Sequence, residues 1–140
     1  PANHIGPGQA KDFVVSSFAS QVAAIAAGKH EPVMKVGNLE SEREFADVRD
    51  VVRAYRLILE KGTPGRAYNV ATDHFVKIRY ILDKLCELAG VKPTLEIDQA
   101  LFRPTDTQAR IDTTRIRTDV GWIPNIPLDQ TLKDILASVA

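Results

Sequence analysis

Between Asp12 and Ala27, the apolar residues Val14, Phe18, Val22 and Ile25 recur at three- and four-residue spacing. That period predicts a helix with Asp12 as its N-cap and Gly28 as its stop. Val33 to Val36 reads as a short strand closed by Gly37-Asn38. A second helix opens at Asp47 or Val48 and runs to Lys61, where Gly62 and Pro64 end it, with Val51, Tyr55, Leu57, Ile58 and Leu59 as its buried side. Ala67 to Val70 is a second strand, Lys77 to Ala89 a third helix stopped by Gly90, and Thr94 to Ile97 a third strand. From Asp98 to Ile111 no period holds, and a loop of that length in a compact domain is usually functional or disordered. Asp112 or Thr113 opens a short helix to Val120, ended by Gly121-Trp122; Pro124 and Pro127 lead into a last helix, Leu128 to Val139. The reading is an α/β domain of short strands with about five helices, its sheet completed by something outside these residues.

The 140 residues suit one domain, 1–140, able to bury about two thirds of its unfolded surface. Apolar residues make up 44% and charged residues 26%, an ordinary soluble globular balance. Eighteen basic residues cancel eighteen acidic ones, so no global field draws in nucleic acid or an anionic membrane, although a local basic cluster can still hold a phosphate. Apolar runs such as Val22 to Ala27 are too short to span a bilayer, and no signal-peptide pattern opens the chain. The single cysteine, Cys86, forms no internal disulfide and fits a reducing cytoplasm; among Leu82, Leu85 and Leu88 it reads as a small core residue. Pro1-Ala2-Asn3, without a Met, reads as a boundary just past a strand end of a longer chain.

The chemistry-bearing candidates are few. Tyr80 and Lys84 have Tyr-x-x-x-Lys spacing, which places both on one helix face, where a lysine could depress a tyrosine pKa. Short matches of this kind arise by accident, and the expectation is a surface ion or packing role. Gly6-Pro7-Gly8 makes a tight turn whose backbone amides can approach an anion, and Asn3 beside it carries an amide donor; a plain turn is the competing reading. Arg43 precedes a helix start, and a guanidinium binds a diphosphate through paired donors; a surface ion pair with Glu42, Glu44 or Asp47 is its alternative. Arg103 sits in the aperiodic loop, stiffened by Pro104. His4, His30 and His74 show no metal spacing. Met34 reads as core or pocket lining, and Trp122 as an anchor packed at a helix end.

Several runs carry a resemblance over essentially the whole chain. They are Asn3-His4-Ile5-Gly6-Pro7-Gly8-Gln9, Asp12 to Ala19, Val36-Gly37-Asn38-Leu39-Glu40, Asp47 to Tyr55, Tyr68-Asn69-Val70, Arg103-Pro104, and Gly121-Trp122 with Ile126-Pro127-Leu128. In order and spacing the chain resembles the GDP-mannose branch of the extended short-chain dehydrogenase/reductases (the NAD-dependent epimerase/dehydratase family), which holds GDP-mannose 4,6-dehydratases and GDP-4-keto-6-deoxy-mannose reductases. The resemblance implies a small C-terminal substrate-binding domain that starts at the end of the Rossmann half, with the N-terminal Rossmann domain absent. It implies no cofactor in this piece, NAD(P) in the intact parent, a GDP-sugar and the missing Rossmann domain as partners, and a cytoplasmic homodimeric parent. By position, Asn3 would contact the diphosphate or sugar, and Val14 and Ser17 would face the nucleotide. The edge from Met34 through Lys35 to Val36 would flank the guanine, Arg43 and Arg103 would grip diphosphate and ribose, and Asp106 would lie near the ribose or base. Ser17 stands where the dehydratases carry a lysine, which tilts the parent towards a reductase; Glu44 replaces an aspartate, Ala46 a polar residue, and Asp106 a glutamate. With neither cofactor loop nor catalytic tyrosine, the piece is expected to be inert alone. A non-catalytic nucleotide-sugar-binding or interaction module is the rival expectation.

Overall fold

The computed structural model describes all 140 residues. In chain order it contains β1 (His4–Ile5), α1 (Val14–Ala26), β2 (Val33–Val36), β3 (Glu42–Glu44), β4 (Ala46–Asp47), α2 (Val48–Lys61), β5 (Phe75–Lys77), α3 (Ile78–Ala89), β6 (Thr94–Ile97), α4 (Thr114–Val120) and α5 (Leu128–Val139). The strands form three separate pairs: β1 with β4 and β2 with β6, both parallel, and β3 with β5, antiparallel. This is the α/β class with five helices that the hydrophobic pattern predicts.

Two hydrophobic clusters organise the chain. In the larger, Val15, Phe18 and Val22 of α1 meet Ile81, Leu82 and Leu85 of α3 and Leu132 and Ile135 of α5, with Met34 and Val36 of β2 closing one side. The smaller packs Val51 and Ala54 of α2 against Ile116 and Val120 of α4, with Val70 and a fully buried Trp122. The Trp122 indole N–H donates to the Asp50 carbonyl at 2.9 Å, so the anchor is polar as well as apolar. Gly28, Gly90 and Gly121 all stop helices at positive φ, as the pattern implies.

Four local readings need correction. Residues 67–70 pair with no strand: the Ala67 carbonyl is taken by Arg115 and the Val70 carbonyl by the Ala2 amide, so side chains and the chain start satisfy this segment. Helix α1 begins at Val14 with Phe13 at the N-cap position and no side-chain cap, so Asp12 does not cap it. Helix α2 carries two apolar stripes; Val51 and Ala54 face the core, whereas Tyr55 and Leu59 face outward, the latter 88% exposed. Cys86 is half-buried at the margin of the larger cluster, where burial raises its thiol pKa.

The first turn of α2 holds two buried carboxylates. Asp47 caps the helix by accepting from the Arg49 amide at 2.8 Å, and it also accepts from the Thr131 hydroxyl of α5 at 2.7 Å. Asp50 accepts from the Asn125 and Ile126 amides, both at 2.9 Å, and from Arg53. Replacing Asp50 by alanine strands two part-buried N–H groups and is expected to cost about 2 kcal/mol, read as a lowered urea midpoint with unchanged slope. Burial by itself raises the Asp47 pKa, but hydrogen bonds from Arg49 and Thr131 outweigh it and hold the carboxyl below the usual range. A depressed folded value stabilises the protein above the unfolded pKa of about 3.9 and is lost as pH falls through the folded value. Asp47→Asn is therefore expected to flatten the acid limb of a stability-versus-pH curve; an unchanged limb would place acid sensitivity elsewhere.

Candidate functional site

Parallel pairing of β1 with β4 fixes Asn3, His4 and Ile5 on one wall of an open cleft of about 1160 Å³, while the Gly6-Pro7-Gly8 turn does not line it. The start of α1 supplies a second wall through Phe13, Val14 and Ser17. The end of β2 brings Lys35, Val36, Gly37 and Asn38, β3 brings Arg43, and the loop after β6 brings Arg103. The loop can lie this close because residue 37 is glycine: a Cβ there would sit 2.9 Å from the Leu101 carbonyl carbon.

Lys11, Lys35, Arg43 and Arg103 line the cleft against a single carboxylate, Asp12. A chain of zero net charge thus concentrates positive potential at one concavity, which favours an anionic ligand. Arg43 donates to its neighbour's carbonyl at Glu42, 2.8 Å, and pairs with Asp106 at 2.5 Å. Asp106 is two-thirds exposed, and a solvent-facing single contact of this kind is worth about 0–1 kcal/mol. The Arg103 guanidinium makes only a 3.5 Å contact with the Phe102 carbonyl, leaving most of its donors uncommitted. Two side-chain oxygens at the wall, Gln9 Oε1 and Gln108 Oε1, are buried without a partner in the protein.

Seven of the eight residues expected from the sequence, Asn3, Val14, Ser17, Lys35, Val36, Arg43 and Arg103, converge on this cleft. Asp106 does not line it and reaches it through Arg43. The Ser17 hydroxyl accepts from Gln21 at 3.2 Å, and Val36 is buried in the floor. Asn38 was not among the expected site residues, yet its amide donates to the Arg103 carbonyl at 3.0 Å and to the Thr105 hydroxyl at 2.7 Å. The signal for it lay in the Gly37-Asn38 dipeptide at a strand end, opposite the long aperiodic loop. Glu44 is buried completely; its Oε2 accepts from the Thr72 amide and hydroxyl and the Asp73 amide, at 2.7–3.0 Å. No residue pattern announces a buried carboxylate on a strand of three polar residues.

Tyr80 and Lys84 lie off the cleft. Both reach Asp129 at the start of α5, the tyrosine hydroxyl donating at 2.5 Å and the ammonium at 3.3 Å. The Asp129 carboxylate pushes the phenol up to about 12, the reverse of what a proton-accepting tyrosine requires. No group of three or more His, Cys, Asp or Glu side chains is arranged for a metal ion, and no helix is long and apolar enough to cross a membrane. Gly6-Pro7-Gly8 follows a two-residue strand but does not complete a Gly-x-Gly-x-x-Gly turn, because Lys11 stands where the third glycine would be.

The fold and the cleft together define an α/β domain with a basic cleft. Residues 1–135 match the family model described as GDP-mannose 4,6 dehydratase, and the chain belongs to that family. It is 36% identical to a GDP-6-deoxy-D-mannose reductase of Pseudomonas aeruginosa, with 98% of this chain and 45% of the relative covered. It is 27% identical to GDP-mannose 4,6 dehydratase 1 of Arabidopsis thaliana, over 94% of this chain and 37% of that protein. The structure of RMD from Pseudomonas aeruginosa complexed with NADPH superposes with a TM-score of 0.90 at 35% identity, covering 97% of this chain and 45% of the other. The chain thus spans less than half the length of these relatives.

A raised tyrosine pKa stabilises the fold below the unfolded value of about 10 and is lost as pH rises through the folded value. In an ultraviolet titration, Tyr80 is expected to ionise near about 12, and Tyr80→Phe to remove that late step. A late step that survives the substitution would overturn this assignment to Tyr80.

Proposed function

We propose that this chain is the GDP-sugar-binding portion of an NAD(P)-dependent enzyme of the GDP-mannose pathway, a GDP-4-keto-6-deoxy-mannose reductase in preference to a 4,6-dehydratase. The observation that carries this reading is the convergence of Arg43 and Arg103, distant in sequence, on one cleft beside Lys35 and Asn3. Two guanidiniums and an ammonium match a diphosphate, whose oxygens accept paired, charge-assisted hydrogen bonds. Asn3 takes the diphosphate or sugar end, Val14 and Ser17 the nucleotide, and Lys35 with Val36 the base. Asp106, released from Arg43, takes a ribose hydroxyl. The tilt towards the reductase is supported by the 36% identity to a protein of that name, against 27% to a dehydratase, and by Ser17.

Hydride exchange at the sugar belongs to a further, NAD(P)-binding part of the enzyme. The chemistry that the nicotinamide supplies there is redox; these residues bind and orient the sugar nucleotide. The chain alone is therefore expected to be inert.

A ¹⁵N–¹H titration with GDP tests the binding reading. Saturable shifts at Asn3, Val14, Val36, Arg43 and Arg103 are expected, with GMP binding more weakly because it lacks the second phosphate. Arg43→Lys, which loses the planar fork, is expected to weaken GDP roughly tenfold while leaving the melting temperature near wild type. A spectrum that ignores GDP at millimolar concentration would remove the reading for this chain.

A further inference from the structure

No backbone–backbone hydrogen bond involves any residue from 103 to 112. The position of this loop, and so of Arg103, is therefore set by side chains reaching from the body. The ties are Asn38 to the Arg103 carbonyl and Thr105 hydroxyl, Arg43 to Asp106, Arg110 to Asp73 with its guanidinium over the Phe75 ring, and Asn69 to the Asp112 carbonyl. Arg43–Asp106 and Arg110–Asp73 are exposed ion pairs that salt screens, and Arg110 and Asn69 act at the far end of the loop.

Near Arg103, then, there are two ties, and they differ in kind. A ligand phosphate that engages Arg43 competes with Asp106 for the same guanidinium. The Asn38 tie involves no charge and no group that the ligand takes. Its amide is also fully committed, because Oδ1 accepts from the Glu40 amide at 2.9 Å while Nδ2 serves the loop. That turn holds the donor in a fixed direction. Arg103 precedes Pro104, and the proline restricts it to extended backbone, so a grip on its carbonyl also orients its side chain.

We infer that Asn38 is a positioning residue for anion capture: it holds Arg103 over the cleft, and keeps it there while Arg43 exchanges Asp106 for a ligand phosphate. The inference rests on the GDP-sugar reading above, and its test separates the two. Asn38→Asp is nearly isosteric and keeps the acceptor for Glu40, but removes both donors to the loop. In the ligand-free protein, Asn38→Asp is expected to lower the ¹⁵N–¹H heteronuclear NOE at residues 103, 105 and 106 while α1, α3 and α5 stay unchanged. With GDP as the probe, affinity is expected to fall roughly three- to tenfold. In an Arg103→Ala background only the repulsion from the added carboxylate should remain, whereas in an Arg43→Ala background the full loss should persist.

A merely structural role for Asn38 would weaken GDP equally in both backgrounds, and that result overturns the inference. So does a wild-type heteronuclear NOE across the loop in Asn38→Asp. Asn38→Ser, with one hydroxyl donor and no added charge, provides a second variant and should recover part of the affinity. If wild-type protein ignores GDP, the binding reading fails, while the relaxation comparison still decides whether Asn38 fixes the loop.

Discussion

The two hydrophobic clusters of this chain touch through one helix turn, and two carboxylates hold that turn. Asp47 and Asp50 sit at the N-terminal end of α2, where unpaired amide groups and the helix dipole favour negative charge. Asp47 reaches outward to Thr131 on α5, which belongs to the larger cluster. Asp50 reaches the other way, to the amides of Asn125 and Ile126 beyond Trp122, which belongs to the smaller. Because Asp47 is also the last residue of β4, the same contacts set where β4 lies, and thereby where β1 and its glycine turn can pair. The cleft inherits its first wall from this arrangement.

The second wall depends on an absence of side chain. Gly37 lets the Leu101 carbonyl come against β2, and Asn38 then secures the loop by its own carbonyl. Arg43 and Arg103 are thus presented from two supports of different stiffness: a strand paired by a backbone ladder, and a loop fastened only by side chains. The pairing of Arg43 with Asp106 joins the strand to the loop through one exposed ion pair.

The helices were legible because each buries an apolar stripe, and α1, α3 and α4 are followed by a glycine at positive φ; α3 and α5 match their expected limits to within a residue. Strand β2 was legible for the same reason, with Met34 and Val36 alternating inward. Strands β1, β3, β4 and β5 were not, since each is two or three residues long and β3 is entirely polar. Periodicity needs more residues than these strands possess. On α2 the pattern held two stripes, and only packing against α4 and Trp122 selects Val51 and Ala54 over Tyr55 and Leu59. Among site residues, charge and resemblance pointed to the arginines. Asn38 escaped notice because its importance lies in a contact with residues 103 and 105, far along the chain.

The strand pairings also bear on how the chain reaches this structure. His4 pairs with Ala46, Val33 with Thr94 and Arg43 with Val76, so every ladder joins residues far apart in sequence and no tight hairpin exists to nucleate a sheet. Closing such long loops costs entropy before any ladder bond is gained, whereas each helix forms from neighbours. Helices α1, α3 and α5 can collapse on one another first, and the strands then register on a core already present. The cleft, framed by strand ends and a loop without backbone bonds, therefore depends for its shape on contacts between parts of the chain far apart in sequence.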